Sequence, residues 1–497
     1  MAVATIFIPI TDSDTQTGRQ YRRYQMINEV MKVITESGGL PLFVGGCVRD
    51  SILELNPKDI DVEVFGLSPE QLIEVLKRFG KVDEVGVSFG VIKLTTENED
   101  FDFTLPRRDN KKGTGHKGFD VEVDHTMTLK EAASRRDFTI NSISRNVEGH
   151  LSDPFNGIED LQNQILRATS DHFGEDPLRV LRGFQFCGRF QLTPDPYTTI
   201  ACESLLPEYV TLPMDRIHRQ WVNWALKSTK PSMGLDFLRK CGWISLYPEL
   251  NALINCQQDP EWHPEGDAWT HTLHVVDAAS EIATRDQLND QDRLELILGA
   301  LCHDLGKPST TIMDRGRWRS PNHAHEGVPL TVSFLRSIGF VGQSELGSIV
   351  KRISRLVHCH MDHIGVKAND RFVKRLSQRV APSNLVQLVK LIEADHSGRP
   401  PLPKHCPEVG MDILSIGARL NITQDQPVPI LQGRHLIGAG LTPAPNFKTL
   451  LNKSYDAQLD GLVDSVESAL QFLGLVNQPK PSTGDKDVND SDSPPTS

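Results

Sequence analysis

The chain has 497 residues, 38% of them hydrophobic, and a formal net charge of −12 at pH 7. That length can bury more than one core, and no run is long and apolar enough to span a bilayer. The acidic balance gives no global attraction for nucleic acid, and the eight cysteines, without C-x-x-C spacing, read as reduced thiols of a cytoplasmic protein.

Residues 1–22 read as a polar, flexible lead-in, and Met1–Gln25 lacks the basic start and apolar stretch of a secretory signal. Over residues 23–170 short β-rich runs alternate with helical patterns, which predicts an α+β head domain with a mixed sheet. The apolar run ending at Val44 is a strand, Gly45-Gly46 its turn, and Val48–Leu55 the following helix. Gly46 leaves the backbone open to a triphosphate, and Arg49 is placed to add positive charge beside it. In Lys58-Asp59-Ile60-Asp61-Val62-Glu63-Val64 the acids alternate with apolar residues. On a strand, Asp59 and Asp61 then share one face, turned to the glycines, where a carboxylate pair can hold Mg²⁺. Taken alone an Asp-x-Asp more often marks a solvated face; the nearby glycine turn and arginine reverse that balance.

The stretches 89–95 and 100–105 predict adjacent antiparallel strands. Asp102 is a third acid on the sheet, suited to a general base. Pro106–Gly118 carries Arg107, Arg108, Lys111, Lys112 and Lys117 against Asp109 alone, and Lys367–Val380 is a second basic stretch. Both suit phosphate backbones, and both equally suit a solvated charged face. Ser134–Ile143 sets Arg135, Arg136 and Asp137 before Asn141, groups able to bind phosphate and ribose. Asp153-Pro154 through Leu161 is a turn with a helix start. Gly174–Arg182 starts a helix with Pro177 in its first turn and Asp176 as its cap. Asp176, Arg179 and Arg182, three apart, line one helix face and can hydrogen-bond a base edge. A capped, salt-bridged helix is the plain alternative.

These four clusters, in this order, resemble the class II tRNA nucleotidyltransferases, the family of CCA-adding enzymes and bacterial poly(A) polymerases. The resemblance spans Tyr24 to Leu250. It implies that Asp59 and Asp61 hold Mg²⁺; Asp102 stands as a catalytic candidate on the reading of the sheet alone. It further implies that Gly46, Arg49, Arg136, Asp137, Asn141, Asp176 and Arg179 bind the nucleotide, and the shared helix face adds Arg182 to them. The segment with Asp176 and Arg179 is similar to the amino-acid template that selects CTP, then ATP. Cys47 stands where the family usually has alanine, and Gln185 where it often has arginine. Pro106–Gly118 occupies the place of the family's flexible loop, which CC-only enzymes shorten; its presence favours full CCA addition. The implied partners are tRNA, CTP and ATP; the sequence gives no sign of a membrane or a protein partner.

From Asp176 to Leu475 helical periodicity dominates. Residues 171–260 are expected to form a helical nucleobase-selecting and tRNA-binding region, and 261–475 a second helical domain. The polar tail 476–497 is expected to be disordered. His271, the pair His303-Asp304, and later histidines and acids suit a divalent metal of unspecified identity. His303-Asp304-Leu305-Gly306-Lys307 with a distant His and Asp resembles the HD phosphohydrolase superfamily. That resemblance implies His271, His303 and Asp304 as ligands, with Asp362 favoured over Asp395 as the last acid. A transferase followed by an HD domain resembles the multifunctional bacterial CCA proteins, whose HD part hydrolyses 2′,3′-cyclic phosphates and other phosphate esters. Three other readings stay open on sequence: a poly(A) polymerase or a CC-only or A-only enzyme; a tRNA-binding protein with a silent transferase site; and a phosphohydrolase that only senses nucleotide.

Overall fold

The computed structural model describes residues 15–57, 59–83, 90–96, 99–111, 119–341 and 345–475. By packing it divides into two units, one of residues 1–360 with 390–406 and one of 361–389 with 407–497.

The first unit opens on helix α1 (Thr15–Glu36), which enters the stretch expected to be a loose lead-in. Ile27, Val30, Met31 and Ile34 are fully buried at helical spacing, and that stripe anchors the helix while polar turns extend it backward. Strands β1 (Leu40–Val44), β2 (Asp61–Phe65), β3 (Lys81–Asp83), β4 (Val91–Thr95) and β5 (Asp100–Thr104) follow. Between them lie helices α2 (Gly46–Ile52) and α3 (Pro69–Leu76). A hairpin of β6 (Arg107–Lys111) and β7 (Phe119–Val123) stands apart from the main sheet. Helix α4 (Leu129–Ser134) and short strands β8 (Ser144–Arg145) and β9 (Leu151–Ser152) complete the head. The main sheet runs β3-β4-β5-β2-β1-β8-β9. Within it only β2 and β5 pair in parallel, and their register sets Asp61 beside Asp102. The expected antiparallel pair appears as β4 and β5, with Lys93 opposite Asp102.

Local chemistry fixes the joints. Ser68 and Gln71 form a reciprocal capping box at α3, and Thr128 and Glu131 do the same at α4. Asp153 accepts from the amides of Gly157 (2.7 Å) and Ile158 (2.9 Å), starting helix α5 (Gly157–Gln162). Helix α6 (Leu178–Phe190) buries Leu178, Val180, Leu181, Phe184 and Cys187. Phe184 packs on Trp221 and Trp224, with ring centroids 4.7 and 5.3 Å apart.

The remainder is helical as expected, apart from short β pairings such as the Ile312–Asp314 and Arg317–Arg319 hairpin. Helices Ala268–Arg285, Asp290–Cys302, His323–Ser337 and Glu345–Cys359 belong to the first unit. In the second unit, Leu431, Leu436, Ala457, Val463 and Ala469 form a small separate core. The tail 476–497 and residues 112–118 of the basic loop lie outside the described residues.

Candidate functional site

Two clusters carry chemistry, one on the head sheet and one among the later helices.

On the sheet, β2 begins at Asp61, so Asp59 lies just before the strand. Alternation nevertheless holds across the boundary: Ile60 and Val62 are buried, and Asp59 and Asp61 are exposed beside them. The three acids feel one another. Partial desolvation raises the Asp61 carboxyl above its ordinary value, Arg136 opposes this, and Asp59 and Asp102 raise it further. Such a concentration of like charge is relieved by a cation.

The glycine turn lies at the end of β1. Gly45 has φ +68° and ψ −131°, a backbone state strained for any residue with a side chain. A Cβ at Gly45 would sit 3.6 Å from the Arg136 guanidinium, and a Cβ at Gly46 3.5 Å from that of Arg49. The two arginines differ in availability. Arg136 is partly exposed and held by Glu63 at 2.9 Å. Arg49 is 4% exposed, paired with Asp50 at 2.6 Å, hydrogen-bonded to the Asn141 oxygen, and stacked on Phe190 at 4.5 Å. Arg49, expected to add positive charge beside the triphosphate, lies next to Gly46 but is buried and paired. Its charge is met inside the fold by Asp50, and Arg136, the more exposed of the two, faces Gly45.

Asn141 links onward to Asp137 at 2.8 Å, and Asp137 to Arg182 of α6 at 2.6 Å. The chain Arg49–Asn141–Asp137–Arg182 thus ties the turn-bearing helix to the helix that starts after Asp176. Arg179 donates to the carbonyls of His172 (2.6 Å) and Arg135 (2.8 Å). Asp176 accepts from the Leu178 amide at 3.0 Å and pairs with Arg216 at 2.9 Å. Arg182 is engaged with Asp137 at 2.6 Å, and Arg179 also bears on that carboxylate. Sequence reasoning missed Glu63 and Arg216. Glu63 was legible, being two residues from Asp61 on one strand face; Arg216 carried no local signal.

The second cluster is buried. His271 and His303 approach Nε2 to Nε2 at 3.3 Å, and His323 and His360 at 3.2 Å. Asp304 lies between the pairs, 3.1 Å from His303 and 3.4 Å from His323. Asp395 meets His271 at 3.1 Å. The Nδ1 atoms of His303, His323 and His360 face the carbonyls of Ala300, Ser320 and Val357 at 2.6–2.8 Å. A backbone acceptor on Nδ1 fixes the tautomer that leaves Nε2 free to ligate. Burial and then His323 and His303 push His360 down to about 3, so its ring is neutral at pH 7. Burial would raise Asp304, yet His303 and Lys307 hold it well below the ordinary carboxylate range. For His271 burial also opposes charge, but Asp395 and Glu265 raise it to about 9. Both Asp304 oxygens are buried and meet charged neighbours, none in hydrogen-bonding geometry.

Among the described residues, His271, His303 and Asp304 form one group with ligand atoms within 4.8 Å, and Asp304, His323 and His360 another. Asp304 is common to both, and imidazole and carboxylate donors of this kind suit a divalent metal. Lys307 pairs with Asp304 at 2.7 Å. Of the two acids considered for the last ligand, Asp395 meets His271 at 3.1 Å, while the favoured Asp362 pairs with Arg379 at 3.0 Å. Asp362 is favoured on the resemblance of its local text, whereas the fold brings Asp395 beside His271. Glu265 (2.8 Å from His271), Lys307, His323 and His360 extend the expected set.

The basic stretch Lys367–Val380 is largely neutralised. Arg371 and Arg375 pair with Asp460 at 3.0 Å, and Arg375 also with Asp456 at 2.6 Å.

Comparison with known proteins finds family matches over both regions. The model of the poly A polymerase head domain matches residues 42–167, and that of the HD domain residues 268–397. A multifunctional CCA protein of Psychromonas ingrahamii is 33% identical over 368 residues, covering 72% of this chain and 84% of that protein. Another, of Aliivibrio salmonicida, is 32% identical over 364 residues with the same coverage. The Bacillus stearothermophilus CCA-adding enzyme in complex with CTP superposes with a TM-score of 0.62 at 18% identity, over 91% of this chain and 98% of that one. The Thermotoga maritima CCA-adding enzyme complexed with tRNA gives 0.54 at 16% identity, over 91% and 95%. At these identities the two structures speak for the fold.

Proposed function

The chain belongs to the multifunctional CCA protein family, and from that footing we propose that it adds CCA to tRNA 3′ ends from CTP and ATP, releasing pyrophosphate, and hydrolyses phosphate esters at its HD cluster. One observation carries the transferase reading: Asp61 and Asp102 are neighbours in register, Asp59 adds its charge, and Arg136 stands between them and a strained glycine turn.

Asp59 and Asp61 would hold Mg²⁺, which supplies Lewis-acid activation of the attacking hydroxyl and charge neutralisation at the phosphates when bound. The tRNA 3′-hydroxyl attacks the α-phosphate in line; the new ester bond forms as the bond to the β-phosphate breaks, and pyrophosphate leaves. Asp102 accepts the hydroxyl proton. Arg136 meets the triphosphate opposite Gly45-Gly46. Asp137 and Asn141 shape the ribose side, with Arg49 and Arg182 as the struts that hold them. Asp176 and Arg179 read the base by their hydrogen-bonding edges, without a nucleic-acid template.

In the HD cluster, His271, His303, Asp304 and Asp395 would hold one divalent cation, and Asp304, His323 and His360 a second. Such ions supply an activated water and polarise the phosphate. Lys307 adds a buried positive charge next to Asp304, suited to the phosphate oxygens. Its substrates are proposed to be 2′,3′-cyclic phosphates and phosphomonoesters.

The test is incorporation of labelled CTP and ATP into tRNA ending at the discriminator base. A ladder stopping after three additions supports CCA synthesis. A long ladder assigns poly(A) synthesis, one or two additions a partial enzyme, and no addition a silent site.

A further inference from the structure

Helices His323–Ser337 and Glu345–Cys359 pack side by side and leave an open groove of about 560 Å³. That volume lies within the range of about 300–1,000 Å³ typical of small-ligand sites. Its floor is apolar, with Val332, Val350 and Phe340, and among the described residues its charged lining is Arg336, Lys351 and Arg355, with no acid.

Within a chain whose acids outnumber its Lys and Arg 65 to 53, this patch is unusual. Arg336, Lys351 and Arg355 are exposed and have no ion pair among the described residues. The neighbouring Arg352, on the same helix, pairs with Glu295 and Asp292, so the helix does match its cations elsewhere. The Lys367–Val380 arginines are matched too. Lys351 and Arg355 stand four apart on one helix face, where like charges repel. Three uncompensated cations around an apolar hollow are what a phosphate with an attached base would satisfy. His323 and His360 belong to the metal cluster, while His325 and His358 line the groove. Side chains two apart on a helix diverge by about 200°, so the groove is a separate surface.

We infer that this groove seats one nucleotide unit of bound RNA, its phosphate on Arg336, Lys351 and Arg355 and its base on the apolar floor. The inference rests on the reading of the chain as a tRNA-acting enzyme. An isolated nucleotide offers the same chemistry as one within RNA, and the experiment separates the two.

The experiment measures affinity of the full chain for tRNA lacking its CCA end, by fluorescence anisotropy across a salt series, with EDTA present. The wild type is compared with Arg336→Glu/Lys351→Glu/Arg355→Glu and with the milder Lys351→Gln/Arg355→Gln. None of these residues belongs to the transferase or metal clusters. The expected result is about a tenfold loss for the reversal variant, a smaller loss for the neutral one, and a salt slope shallower by about 0.7–0.9 for each phosphate no longer neutralised. Unchanged phosphatase activity and thermal midpoint establish folding. Wild-type affinity and slope in both variants would overturn the inference, and so would loss of adenosine monophosphate binding with tRNA binding intact, which would assign the groove to free nucleotide. A wild type that binds no tRNA overturns the functional reading itself, a distinct outcome.

Discussion

Glu63 holds Arg136 at 2.9 Å, and Arg136 in turn sits 3.6 Å from the point where a side chain on Gly45 would begin. Glu63 follows Asp61 by two residues on β2, so the strand that carries the acid proposed to bind metal also aims the cation proposed to meet the triphosphate. The pair is partly exposed, and its worth lies in orientation more than in stability.

Replacing Glu63 by Gln should therefore raise KM for CTP and for ATP alike by about tenfold, equivalent to about 1.4 kcal/mol, with kcat little changed. Glu63→Asp should recover part of the loss. The double variant with Arg136→Ala should be no worse than Arg136→Ala alone. Steady-state kinetics with both nucleotides checks this; additive losses would contradict the coupling.

Asp395 and Asp362 separate cleanly. Asp395→Ala should lower the metal content of purified protein and abolish phosphatase activity, because Asp395 bears on His271. Asp362→Ala should leave both unchanged, since Asp362 is engaged with Arg379. Elemental analysis alongside phosphatase assay reads the two outcomes independently.

Asp137 makes an acid-stability prediction. Burial raises its carboxyl, but Arg182 and Asn141 outweigh this and hold it below the ordinary value. A depressed folded-state pKa stabilises the protein above the unfolded carboxylate's range, and the gain is lost as pH falls through the folded value. Arg182→Ala removes the main attraction, leaving burial to dominate. The acid unfolding midpoint should move to higher pH, and stability at pH 7 should fall by about 2–3 kcal/mol. Circular dichroism during acid titration measures the shift.

Gly306 has no room for a side chain. A Cβ there would lie 2.1 Å from the His323 carbonyl and 2.6 Å from the Gly327 amide. Gly306→Ala should push His323 out of the cluster, cost about 1–3 kcal/mol, and reduce bound metal while sparing nucleotide addition. Metal content, thermal midpoint and incorporation are the readouts.

The sequence made the local devices readable. The glycine turn, the alternation around Ile60 and Val62, and the strands bearing Asp61 and Asp102 all follow from short-range pattern. The order of head and HD regions was equally legible. What stayed hidden was long-range partnering. Arg49 looked free because its text shows only Asp50 beside it; Asn141 and the Phe186 and Phe190 rings arrive through the tertiary fold. Asp362 is favoured over Asp395 on the resemblance of its local text, and that text carries no sign that packing sets Asp395 against His271. His323 and His360 were visible as histidines, but only packing brings their Nε2 atoms to 3.2 Å. The helix from Thr15 was missed because its apolar stripe begins at Ile27, after several polar turns.

The most direct measurement is transfer of labelled CTP and ATP to truncated tRNA by the full chain carrying Asp59→Ala with Asp61→Ala, assayed in parallel for phosphatase activity. The account predicts that nucleotide addition disappears while phosphate-ester hydrolysis continues at the wild-type rate. Addition that persists in the doubly substituted protein would contradict it.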